Sequence, residues 1–135
     1  MESNSGVNWR FVCIATVLIY LVTMVGGFLI GFMFAASGGP MVGGTKIAVL
    51  AVSNISIVFI GIVIVGAMTP FQRWKNISLV SLGIWLLSVS NIAIGVSNFS
   101  QWIFSLILYF FLAGVAGLLS MLVTGLIMAS VKSTG

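Results

Sequence analysis

Residues 11–35 read FVCIATVLIYLVTMVGGFLIGFMFA, a run of 25 positions without one charged side chain. At about 1.5 Å per residue a helix of this length crosses about 30 Å of hydrocarbon. Lipid offers no water to backbone N–H and C=O groups, so a spanning segment must bond to itself as a helix. Val and Ile favour strands in water, but that preference is small beside the cost of an unpaired peptide group in lipid. A membrane barrel would show polarity alternating over strands of about ten residues, a pattern that this run lacks.

Three more uncharged stretches follow, over residues 47–68, 77–96 and 102–129. Of the 135 residues, 61% are hydrophobic and 4% charged. A soluble domain carries roughly 25% charged residues, so these few cannot cover a water-facing surface. The fold expected is all-α and polytopic: one domain over residues 1–135, with four transmembrane helices. The first run also resembles a secretory signal in having Arg10 before it, but it far exceeds the 7–15 apolar residues of such a signal, and cleavage is not expected.

The connections are short: SGGPMVGGT over 37–45, TPFQRWKN over 69–76 and SNFSQ over 97–101. Pro70 is expected to stop the second helix. Links this short make consecutive helices antiparallel neighbours in an up-down bundle. Arg10, Arg73, Lys75 and Lys132 then fall on one side of the membrane and Lys46 alone on the other. Basic residues concentrate in cytoplasmic loops, which places both termini in the cytoplasm, in a cell membrane. Trp9, Trp74 and Trp102 fall at the expected interfaces, where an indole keeps its ring among headgroups and its N–H in water. Offset by 65, Trp9-Arg10 falls on Trp74-Lys75, Thr16 on Ser81 and Tyr20 on Trp85, as in a duplication or by chance in apolar sequence.

Helices in lipid associate through close approach and polar contacts. Gly27, Gly31 and Ala35 form a small-residue stripe on the first helix; Ser81, Ser88 and Gly95 do so on the third, and Ala113 and Gly117 on the fourth. Asn54 and Asn91 are the most polar groups expected in the hydrocarbon, about 11 and 8 Å below its outer edge. With Ser56, Ser88 and Tyr109 they would make a buried polar cluster or the lining of a pore. The favoured reading is the simpler one, two neutral amides bonding across helices and worth about 0.6–2 kcal/mol, since no charged residue accompanies them. The triplets at Asn54, Asn76 and Asn98 match glycosylation acceptors, of which only Asn98 would face outward. The lone Cys13 reads as a packed apolar side chain.

The chain has no His, one acidic residue (Glu2) and one Cys. That set offers no metal or cofactor ligands, and no carboxylate pair or His for acid–base catalysis. A proton-coupled carrier needs a titratable group in the membrane, and the four runs have no carboxylate. The scattered cations do not form a nucleic-acid stripe. The expected function is that of a non-enzymatic structural or accessory subunit. It would act in the bilayer by helix–helix association, as a homo-oligomer or beside a larger membrane protein. The alternative is an oligomeric channel or transporter for a small solute or ion, lined by the neutral polar residues.

Overall fold

The computed structural model describes residues 7–37, 44–95 and 97–133. Helix α1 covers Trp9–Ala36 and α2 Gly44–Met68. A 3₁₀ turn, Pro70–Gln72, leads into α3, Arg73–Leu87. One further turn, α4, covers Ser90–Ala93, and α5 runs over Phe99–Ser133. Four segments are long and apolar enough to cross a membrane: Trp9–Ala36, Ala48–Met68, Pro70–Ala93 and Phe99–Val131. The protein is an all-helical, multi-pass membrane protein.

The third span departs most from the sequence reading. Pro70 was expected to stop a helix, and residues 69–76 to form a loop. Helix α2 does end at Met68, before Pro70, but 69–76 is not a loop: Pro70 opens the 3₁₀ turn, because its fixed φ and missing N–H suit a first helical position. The span begins seven residues before the expected position 77. It also breaks early: the N–H of Ser88 bonds to Ile84 O at 2.9 Å and that of Val89 to Leu86 O at 3.1 Å, a tightening that closes α3. Gly95, expected on a packing stripe, lies beyond α4 with φ of +75°, the left-handed conformation that terminates helices and that Gly adopts without strain. The expected end of that helix, Val96, lies outside the described residues, as do Pro40 and Glu2.

The other ends follow from caps. The Asn8 side chain accepts from the Phe11 N–H at 3.1 Å and starts α1. Helix α5 starts at Phe99 rather than 102 through a reciprocal box. Asn98 Oδ1 accepts from the Gln101 N–H at 2.8 Å, and Gln101 Oε1 accepts from the Asn98 N–H at 3.1 Å. The Asn98 side chain, the one glycosylation candidate expected outside, is thus engaged in holding a helix start.

Helices α2 and α3 pack on each other, and each packs against both α1 and α5. Successive α1–α2 contacts run in opposite sequence order: Gly27 lies under Asn54, Gly26 under Ile57 and Ile19 against Gly61. The contacts of α1 with α3 and α4 run in the same order, Thr16 against Gly83 and Tyr20 against Ser90. The core is Val12, Val58, Ile62, Val65, Ile77, Val80, Ile84, Ala113 and Ala116. It occupies one half of the molecule, near the turn between α2 and α3. Among the described residues, those buried in α1 precede position 17, those in α2 follow position 57 and those in α5 lie between 113 and 120. Helix length explains this: α3 has 15 residues and α1 has 28, so the far part of α1 extends past the end of the helix it packs on.

Candidate functional site

The five residues expected to cluster are placed apart in role. Ser56 is exposed, and its hydroxyl donates to Val52 O of its own helix at 2.8 Å. Ser88 is buried and donates to Trp85 O at 2.6 Å. Asn91 sits half-buried in the single turn of α4, and Tyr109 packs half-buried against the core. The Asn54 amide lies over Gly27, where an added Cβ would come within 3.1 Å of its Oδ1. That Oδ1 is buried with no hydrogen-bond partner. No side-chain hydrogen bond joins any two of the five among the described residues.

The small-residue stripes divide similarly. Gly27 is covered by Asn54, while nothing approaches the Cβ position of Gly31 within 4 Å and Ala35 is exposed. Ser81, Ser88, Ala113 and Gly117 are all buried, the last beneath the Trp74 ring. A further small-residue contact lies outside these stripes, at Gly66. At Gly66 an added Cβ would lie 2.5 Å from Ser120 Oγ and 2.6 Å from Ile77 Cδ1, so three helices meet on that glycine.

Apart from Ser88, the polar side chains brought together are different ones. Trp85 of α3 and Trp102 of α5 stack with ring centroids 4.2 Å apart and planes 12° from parallel. Each indole donates to the other's backbone: Trp85 Nε1 to Trp102 O at 2.9 Å, and Trp102 Nε1 to Trp85 O at 3.1 Å. Ser88 and Ser105, each three residues on, donate to the same two carbonyls at 2.6 Å. Trp85 O is one of the last carbonyls of α3, which have no partner in their own helix, so the indole and the hydroxyl satisfy it. The expectation that Trp102 keeps its N–H in water is corrected here: a protein carbonyl takes that proton. The repeated Trp-x-x-Ser pattern was visible in the sequence, but its pairing needed the register between α3 and α5. Beside this pair, the Tyr20 and Ser90 hydroxyls bond between α1 and α4.

At the other end lies the largest correction. Arg73 was expected in a water-facing loop as a topology signal; it is buried, with 8% of its surface exposed. Its Nε donates to Gly66 O at 3.0 Å and its Nη2 to Thr124 Oγ1 at 2.8 Å. Gly66 O belongs to the last turn of α2, so the guanidinium caps that helix at the end favoured by a cation. Thr69 caps the neighbouring Val65 O at 2.8 Å. Thr124 passes the connection to Ser120 O at 2.7 Å, and Ser120 to Gly117 O at 2.8 Å. Asn76 and Ser81, 2% and 1% exposed, leave Oδ1 and Oγ without partners.

A groove of about 490 Å³ separates α1 from α2. Its walls include Phe11, Leu18, Val22, Ile57, Ile64 and Met68, all apolar, with Ala15 and Gly61 also in its lining. Such a surface suits hydrocarbon and offers no hydrogen bond to a polar solute. Compared with protein-family models, curated proteins and solved structures, the chain matches none.

Proposed function

We propose that this is a non-enzymatic structural or accessory membrane subunit that works by helix–helix association. It forms an up-down bundle with both termini in the cytoplasm of a cell membrane. It assembles as a homo-oligomer or beside a larger membrane protein. One observation carries the reading: the polar side chains at the two ends of the α3–α5 contact are engaged in bonds between helices, and the groove between α1 and α2 is lined by apolar residues. Small positions left open at Gly31, Gly114 and Gly125 support association, since a neighbouring backbone approaches most closely at a residue without a side chain. The Gly31→Leu variant should dissociate the assembly in mild detergent while leaving the monomer folded. A wild-type protein that is monomeric at every detergent ratio, and that crosslinks to no neighbour in native membranes, removes the reading.

The second reading is a channel or carrier for a small neutral or weakly polar solute or an ion. The unpartnered Asn54 Oδ1 between α1 and α2 favours it, because a buried acceptor without a donor is a place for a passing polar group. Liposome flux decides: flux in the wild type that is lost in Asn54→Leu supports transport, and no flux from the wild type removes it. The orientation is tested separately. With Cys13 replaced, a cysteine at exposed Lys75 should react only with a cytoplasmic reagent.

A further inference from the structure

We propose that Arg73 is the anchoring cation of a binding site for a phosphate group, at the end of the molecule where α2 meets α3. A guanidinium keeps its charge in a protein and carries five N–H donors. Here two of the five are engaged, both by neutral oxygens, the Gly66 carbonyl and the Thr124 hydroxyl. Among the described residues the other three have no hydrogen-bond partner. The sequence has one acidic side chain, Glu2, which lies outside the described residues. Burying a cation without an anion is unfavourable, and the partial negative charge at the end of α2 offsets only part of that cost. An arginine in this state is completed by an oxyanion, and phosphate matches its planar fork with two parallel hydrogen bonds.

The setting supplies access and a second charge. Phe71 is fully exposed, Trp74 is 45% exposed and Lys75 is exposed, so Arg73 lies at the rim of the span rather than in its middle. Basic sites between membrane helices at this level take phosphate headgroups of lipids. The same chemistry is offered by a lipid phosphodiester and by free phosphate, and the experiment separates them.

The whole protein is purified in a phosphate-free maltoside detergent. Its thermal midpoint is then followed by tryptophan fluorescence on adding phosphatidylglycerol, inorganic phosphate or, at equal ionic strength, chloride. The wild type should gain about 4 °C or more from a phosphate-bearing probe over chloride. Arg73→Gln should lose most of that gain, and Lys75→Gln should keep most of it. A response to the lipid alone assigns the site to a headgroup, and a response to inorganic phosphate alone assigns it to a free anion. Three results overturn the proposal: no gain in the wild type, an equal gain in Arg73→Gln, or a gain that appears only in Glu2→Gln, which would make Glu2 the counter-ion. Should Arg73→Gln fail to fold, native mass spectrometry of the wild type decides. Retention of phosphatidylglycerol or phosphate over a neutral glycolipid supports the site, and equal retention sinks it.

Discussion

Between α3 and α5, directional bonds hold both ends of the contact: Arg73 to Thr124 at one, and the reciprocal Trp85–Trp102 pair at the other. Between α1 and α2 the contacts are steric, with Gly26, Gly27 and Gly61 lying under the side chains of Ile57, Asn54 and Ile19. A directional pair fixes register, because sliding one helix by a turn breaks the bonds. A glycine contact sets only how closely two helices approach. The first seam is therefore expected to be rigid, and the second to open and close against the apolar groove beside it.

The largest expected effect lies at Gly66, where three helices meet. Gly66→Leu drives a side chain into Ser120 and Ile77, and overpacking at such a site costs about 3 kcal/mol or more. Loss of the folded fraction in detergent is the expected result; a folded variant would show that α5 can move away from α2. Next in size is the tryptophan pair. Trp85→Phe and Trp102→Phe should each cost about 1–2 kcal/mol, since each removes an indole donor from a part-buried carbonyl. A double-mutant cycle should show coupling of about 1 kcal/mol across the stack. Additive losses would mean that the rings act separately and that the α3–α5 register is held elsewhere.

On the other seam Gly27→Ala should cost about 0.5–1 kcal/mol, because the new Cβ meets a side-chain amide that can rotate rather than backbone. A loss as large as at Gly66 would show that the α1–α2 contact is as rigid as the α3–α5 contact. Smallest of all, Ser56→Ala should change stability by less than about 0.5 kcal/mol, its exposed hydroxyl bonding only to its own helix. A substantial loss would place Ser56 at an interface with another chain.

Much of the helical framework was legible in the residues. Each of the four expected runs corresponds to one apolar span, because hydrocarbon forces any uncharged stretch of sufficient length to satisfy its own backbone. The starts of α1 and α5 also have sequence signals: Asn8 and the Asn98–Gln101 box sit at the spacing that their geometry needs. The third span starts before its apolar run because Pro70, which follows the end of α2, also opens the next helical turn, and the local sequence does not show that it does both. The candidate cluster fared differently. Ser56 points away and bonds within its helix, whereas Asn76 and Arg73, assigned to a loop, are buried.

The residues by themselves determined that this chain is helical and crosses a membrane several times, since those properties depend on the solvent and on segment length alone. Which polar groups meet was decided by the tertiary structure. Whether an indole finds a carbonyl, or a guanidinium tucks beneath a helix end, depends on rotation and register to within a fraction of a turn. In lipid, apolar side chains set that register only weakly, so it is the few polar contacts and the glycine approaches, once the helices are assembled, that select it.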